Sequence, residues 1–306
     1  MTDASVGHHV GFLGFGRVAA ALAKQLGPAT FTITAYDVNV NRRGGPELLA
    51  ERATGTNVKF GSLLDVLQSA DFVFAAVPPG EAATIAGQAS DHLDERHTYI
   101  DLTSVGPAEK QRIAAVVTRT GARFIEAAIL DSVGAAGGRA RILVCGPGAE
   151  RTAAILGDAG LNIRSVGPNL GGAACLKMLR SVCSKGLEAL LLEAFVAAAE
   201  AHVEHELWMI LEDFFESHGF AASARDWIVS HPGAAERRCV ELKEVVATLE
   251  GLRTESVMTS ATLKFFERSI ELGLPRSFTG ELAAEPGEVI RELARLASRD
   301  RLGGLN

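Results

Sequence analysis

The chain has 306 residues, room for one large domain or two ordinary ones. A net charge of −7 with no Lys/Arg block excludes nucleic acid as an expected partner, and no apolar run reaches the ~18 residues a membrane span needs. Apolar residues at 47% against 22% charged fit a soluble globular protein with ample core.

Residues 1–9 lack the basic-then-apolar pattern of a secretory signal. Cys145, Cys175, Cys183 and Cys239 show no CxxC spacing, so buried, reduced thiols in a cytoplasmic protein are expected.

Residues 8–13 read as a short apolar strand. It runs into Gly11-x-x-Gly14-Phe15-Gly16-Arg17-Val18-Ala19 and an alanine-rich helix ending at Leu26. Gly14-x-Gly16-x-x-Ala19 is a dinucleotide fingerprint with alanine in third place. Gly14 allows the tight turn, Gly16 lets the backbone approach a pyrophosphate, and Ala19 lets the helix pack on the strand. The helix N-terminus offers free N–H groups and a positive dipole end to phosphates. The second strand, residues 31–36, ends at Asp37, at the spacing the fingerprint requires. A carboxylate there accepts ribose hydroxyls and repels a 2′-phosphate, which favours NAD. Arg42 and Arg43 follow, either to hold that phosphate in NADP or as a solvated loop.

Residues 57–60 read as a third strand. Residues 71–77 form a fully buried fourth, closed by Val77-Pro78-Pro79-Gly80. The fifth, residues 98–102, is followed by Thr103-Ser104-x-x-Pro107, with two hydroxyls at a strand's carboxyl end and a proline suited to a first helical turn. Residues 123–129 and 140–145 are further strands. Between them, residues 130–138 form a flexible loop carrying Asp131 and Ser132. A helix over 146–156 and a strand over 162–166 complete an alternation that predicts a largely parallel sheet.

After Gly167-Pro168 the strand signals stop. Residues 169–202 predict one long helix, apolar around most of its circumference and therefore interior. Leu176, Leu179, Cys183, Leu187 and Leu190 make its main stripe. One narrow strip is polar: Lys177, Arg180, Ser181, Ser184, Lys185 and Glu188. A lysine there is costly unless it is paired or faces water, so the strip meets solvent or lines a site. Helices over 206–218, 221–229, 234–252, 255–272 and 287–297 follow, with breaks at His231-Pro232-Gly233 and Gly273-Leu274-Pro275. His202 and His205 lack a third ligand, so no metal site is expected. Arg237-Arg238 and Lys243-Glu244 read as a solvated face. The fold class is α/β: a Rossmann dinucleotide-binding domain over 1–167, then an all-α domain over 168–306.

Four blocks together resemble the β-hydroxyacid dehydrogenase family, the group that includes 6-phosphogluconate dehydrogenase. They are Gly11-x-x-Gly14-x-Gly16-x-x-Ala19; Val77-Pro78; Asp101-x-Thr103-Ser104-x-x-Pro107; and Gly167-x-x-x-Gly171-x-Ala173-x-x-x-Lys177. The likeness runs the full length and is greatest to a branch with a poorly characterised C-terminal domain. It implies NAD or NADP bound by residues 14–18, Asp37, Arg42, Val77, Pro78 and Ser104. It also implies a helix joining the two domains that carries a catalytic lysine, Lys177, and an assembly that is at least a homodimer. Such a lysine acts as general base when an alcohol is oxidised and general acid when the carbonyl is reduced.

Two positions depart from the family. Ser181 stands where asparagine is usual. Asp131, in the stretch matching a Ser-Gly-Gly loop that grips a carboxylate, has the wrong charge for an anion. Arg180 and Lys185 can supply positive charge instead. Thr103, Asp131, Ser132, Arg180, Ser181 and Lys185 are the candidate substrate contacts. The expected activity is hydride transfer between a nicotinamide cofactor and a small hydroxy acid or alcohol. Alternatives are imine reduction, in which the lysine is usually replaced, and a non-catalytic dinucleotide binder.

Overall fold

Strand β1 (His8–Leu13) lies inside the sheet, and its side chains alternate between two cores. Val10 and Phe12 join one face with α1 (Arg17–Leu26); Leu13 joins the other. The computed structural model describes residues 8–26, 31–278 and 283–303; residues 1–7, most of the stretch scanned for a secretory signal, lie outside them. The remaining strands are β2 (Phe31–Tyr36), β3 (Lys59–Phe60), β4 (Phe72–Ala75), β5 (Thr98–Asp101), β6 (Arg123–Ile129), β7 (Ile142–Cys145) and β8 (Ile163–Ser165). They form one eight-stranded sheet in the order β3-β2-β1-β4-β5-β6-β7-β8. Every neighbouring pair is parallel except β6 and β7.

Connecting helices cover both faces. They are α2 (Gly45–Ala53), α3 (Leu63–Ser69), α4 (Ala82–Ser90), α5 (Pro107–Val117), α6 (Val133–Ala136) and α7 (Ala149–Asp158). Ser62 and Asp65 close a reciprocal capping box at the start of α3. Gly11 is where α3 crosses β1: a Cβ there would lie 2.7 Å from Val66 Cγ1. The loop expected over 130–138 instead contains α6 and a further helical turn at Gly137–Arg139, because Val133 and Ala136 find apolar cover beside α1.

The chain divides into two compact units, Met1–Val182 and Cys183–Asn306, and the division falls within α8 (Gly172–Glu200). The second unit is helical: the rest of α8, α9 (Glu204–His218), α10 (Phe220–Gly251), α11 (Val257–Glu271), α12 (Leu274–Ser277) and α13 (Pro286–Gly303). Among the described residues no helix is long and apolar enough to cross a membrane.

Three further expectations need correction. The two helices expected on either side of Pro232 are one, α10. A proline inside a helix costs about 3 kcal/mol, but packing carries the helix through it. His231, Pro232, Ala235 and Cys239 are all buried. Ser269 Oγ on α11 donates to Phe266 O at 2.8 Å, so the His231 Nε2–H donates to Ser269 Oγ at 2.8 Å. Second, α8 is not interior within this chain: Leu179 is 58% exposed, Val182 69% and Leu192 61%. Its composition fits a buried helix, yet among the described residues these side chains stay exposed. Third, Cys145 and Cys239 are buried as expected, but Cys175 and Cys183 are exposed because they ride on α8; all four are free.

Glu193 is the one charge in the apolar run of α8 from Ala189 to Ala199. Its carboxylate caps α11, accepting Met258 N at 2.7 Å, Thr259 N at 2.8 Å and Thr259 Oγ1 at 2.6 Å. Desolvation disfavours its ionised form, but these bonds outweigh it and hold its pKa below the usual glutamate value. A depressed folded pKa contributes stability that is present above the unfolded pKa and lost as pH falls through the folded one. Glu193→Gln is expected to lower the unfolding free energy by about 1–2 kcal/mol near neutral pH. In urea titrations the gap from wild type should shrink below pH 4.5, the ordinary value. A gap that is constant with pH would contradict the cap.

Candidate active site

Because β1, β4, β5 and β6 are parallel neighbours, the turns that follow them share one edge of the sheet. These turns are residues 14–16, 77–78, 103–104 and 130–132. Chain order reverses around β1, the place where open α/β sheets bind ligands.

The first turn forms a cradle. Gly14 has φ +86° and donates its N–H to Tyr36 O at 2.7 Å; a Cβ there would stand 2.8 Å from Ala76 O. A Cβ on Gly16 would meet no atom within 4 Å. Gly14, Gly16, Asp37, Arg42, Val77 and Pro78 line a cavity of about 590 Å³. Tyr36, Arg52, Glu81, Thr84 and Gln88 line it too; sequence reading did not name them, and nothing in their local pattern marks them. Asp37 is buried, with Oδ2 accepting Phe15 N and Oδ1 accepting Asn39 N, each at 2.8 Å. Backbone bared at Gly16, the start of α1 and a carboxylate at the end of β2 fit a dinucleotide.

The other candidates for that cavity are placed differently. The Phe15 side chain is buried against Phe60, so only its backbone belongs to the turn. Val18 packs on the core, and Arg17 lines a neighbouring cavity beside α6. Ser104 meets Lys177.

Lys177 is half-buried on α8, and its Nζ donates to Ser104 Oγ at 2.8 Å. Burial lowers its pKa, and the Lys110 charge lowers it further. One turn on, Arg180 Nη1 donates to Leu130 O at 2.7 Å. Both side chains therefore reach the edge that bears the cradle. No carboxylate forms an ion pair with either among the described residues. Ser181 Oγ donates to Lys177 O at 3.0 Å, which commits its proton within the helix. Asp131 is engaged by Arg141, through Nε at 2.9 Å, Nη2 at 2.7 Å and the backbone N at 3.0 Å. Those bonds hold its carboxyl well below the usual range. Ser132 is exposed and caps nothing at α6. Lys185 is exposed in the second unit.

Beneath this corner lies a buried charge cluster. Asp101 Oδ1 accepts Thr103 N at 2.9 Å and Thr103 Oγ1 at 2.6 Å, so the Thr103 hydroxyl points inward. Asp101 Oδ2 is 3.1 Å from Lys110 Nζ, and both side chains are 1% exposed. Lys110 also donates to Asp101 O at 2.7 Å and Ala127 O at 3.3 Å. Burial pushes the Lys110 pKa down, while Asp101 and then Glu126 oppose the shift. Glu126, wholly buried, accepts Gly171 N and, at 2.6 Å, Ala174 N at the start of α8. Sequence reading passed over Lys110 and Glu126. The available signal was Glu126 itself, one charge in the otherwise apolar strand residues 124–129.

Fold and cradle together define a dinucleotide-binding Rossmann protein, and comparison with known proteins narrows this. Residues 9–105 match the family described as NADP oxidoreductase coenzyme F420-dependent, and residues 198–269 match a domain of unknown function, DUF1932. A conserved protein of unknown function, described as structurally similar to 3-hydroxyacid dehydrogenases, is 32% identical. It superposes with a TM-score of 0.60 over 85% of this chain and 96% of its own. An imine reductase variant from Myxococcus stipitatus, solved with NAD+, shares the fold, with a TM-score of 0.75 at 18% identity over 95% of this chain and 99% of its own. Human mitochondrial 3-hydroxyisobutyrate dehydrogenase is 28% identical over 187 residues, 58% of this chain and 54% of the enzyme, so the chain spans about half of that relative. The chain belongs to the β-hydroxyacid dehydrogenase family of NAD(P)-dependent oxidoreductases.

The two glycines of the cradle should separate binding from folding. Gly16→Ala is expected to weaken NAD and NADP binding by about tenfold or more and to leave the melting temperature within about 2 °C. Gly14→Ala, strained at φ +86° and crowded by Ala76 O, should lower stability by about 1–3 kcal/mol. Fluorescence titration and thermal melts of both variants check this; a Gly16→Ala protein that binds normally would contradict the cradle.

Proposed function

We propose that the protein is a dehydrogenase that moves a hydride between a nicotinamide cofactor and a small hydroxy acid, with Lys177 as general acid/base. The observation that carries this reading is the half-buried Lys177 amine, hydrogen-bonded to Ser104 at the same sheet edge as the glycine cradle. Bound in that cradle, NAD(P) supplies the hydride acceptor, or the donor in reverse. A lowered pKa puts more of the Lys177 amine in its neutral form near neutral pH. In oxidation the neutral amine takes the substrate hydroxyl proton as the carbonyl forms; in reduction the ammonium returns it. Ser104 holds Nζ at the strand edge. Arg180, tethered among the described residues through Leu130 O alone, offers its remaining donors to the substrate carboxylate. Asp131, committed to Arg141, takes no direct part. Asp37 favours NAD over NADP by repelling a 2′-phosphate. Four free thiols suit a reducing, cytoplasmic setting.

The assembly is proposed as a homodimer. In the second unit α8 exposes Leu187, Leu190, Leu191, Leu192 and Val196, and α9 exposes Trp208, Met209 and Ile210. Apolar surface on that scale marks an association face. Light scattering is expected to give twice the chain mass, and a single-chain mass would overturn the dimer.

The activity is tested at 340 nm with NAD and NADP against hydroxy acids including 3-hydroxyisobutyrate, simple alcohols and cyclic imines. Hydroxy acids should turn over, faster with NAD, and Lys177→Ala should lose about two or more orders of magnitude in kcat. Turnover of imines alone, or an unimpaired Lys177→Ala, would replace this reading with imine reduction. Tight cofactor binding with no turnover would favour a dinucleotide-binding protein.

A further inference from the structure

A buried carboxylate is an expensive way to start a helix, since a serine or asparagine at the cap does the same for one exposed N–H. α8 has no such residue: Gly171 precedes it, at φ +95°. Its first free donors, Gly171 N and Ala174 N, point instead to Glu126, which reaches across from β6. Ala174 lies three residues before Lys177, so the clamped turn is the one leading directly into the lysine. The far side of the Lys177 contact is fixed from the same place. Asp101 ties down Thr103, the neighbour of Ser104, and Lys110 joins Asp101 to the backbone of Ala127, next to Glu126 on β6.

We propose that Glu126 is a positioning residue for Lys177: its buried carboxylate, braced through Lys110 and Asp101, fixes the first turn of α8 so that the Lys177 amine is held against Ser104 at the cofactor edge. The inference rests on the acid/base reading of Lys177 and adds a residue that touches neither substrate nor cofactor. Glutamine keeps the size of Glu126 but replaces one acceptor by a donor, facing an N–H with an N–H. The turn must then shift, and proton transfer is sensitive to such displacements.

The test is a double-mutant cycle using the fastest substrate of the assay above. Glu126→Gln is expected to lower kcat by about tenfold or more, with the cofactor KM changed by less than about twofold. In a Lys177→Ala background the same substitution should change the residual kcat by less than about twofold, because its effect passes through the lysine. Hydrogen exchange should accelerate over residues 171–178 and not in α1 or α4. If the Gln protein is not soluble, Glu126→Asp serves in both backgrounds, since it withdraws the carboxylate by about 1.5 Å and cannot reach both donors. Equal losses in the two backgrounds, no loss in either, or unchanged exchange over 171–178 overturns the inference and leaves the acid/base reading standing. A Lys177→Ala protein with wild-type kcat overturns that reading, and the inference falls with it.

Discussion

The first unit depends on three charges enclosed in it: Asp101, Lys110 and Glu126. Removing charged groups from water is costly, and well-packed apolar residues would often serve stability as well or better. Their retention therefore calls for a reason beyond stability, and geometry supplies one. Two carboxylates and one ammonium leave an excess of negative charge. The positive end of α8, through Gly171 N and Ala174 N, meets Glu126 and offsets it. Each member thus holds a different part of the structure. Asp101 holds the turn after β5, Glu126 holds the start of α8, and Lys110 bonds to the backbone of both strands.

That arrangement matters because the sheet alone places only half of a site. Parallel neighbours bring the turns after β1, β4, β5 and β6 to one edge, which suffices to assemble the glycine cradle and Asp37 around a cavity. A side chain not carried by a strand must arrive from outside the sheet and stop at the right height. Lys177 arrives on α8, and its Nζ is met by Ser104. The buried cluster fixes both partners of that contact from below, whereas Arg180 and Leu130 fix the next turn from the surface. Burial then lowers the lysine pKa without any acidic partner among the described residues to raise it again.

The cradle was legible in the sequence because glycine spacing, strand and helix are local features. Gly14 could be named because φ +86° and the approach of Ala76 O admit no other residue. The strands were legible to within a few residues, again from local pattern. Pro232 misled because proline punctuation is local, whereas the packing of His231 on Ser269 that carries α10 through it joins residues far apart in the chain. α8 misled in the opposite sense. Its composition states that its faces must be covered, but composition carries no address for the cover, and Leu179, Val182 and Leu192 stay exposed among the described residues. Asp131 could be read as a charge of the wrong sign, but not as already held by Arg141, because that pairing depends on β7 returning antiparallel beside β6.

Glu126 and Glu193 show what a better reading would have used. Each is a lone acid in an apolar run, one on a strand and one on a helix, where neither pattern has room for a charge. In the structure each does the same work within its own unit: it accepts the free N–H groups that begin a helix elsewhere, α8 for Glu126 and α11 for Glu193. The physics is common to both. A helix start leaves unsatisfied donors and a positive end, and a carboxylate that meets two donors recovers much of what its own burial costs. Each helix lacks a side-chain cap of its own: α8 follows Gly171, and Ser256 before α11 makes no cap hydrogen bond. A lone acid in an apolar run, together with a helix lacking its own cap, therefore predicts a long-range contact from sequence. That contact pins the turn it caps, which for α8 is the turn leading to Lys177.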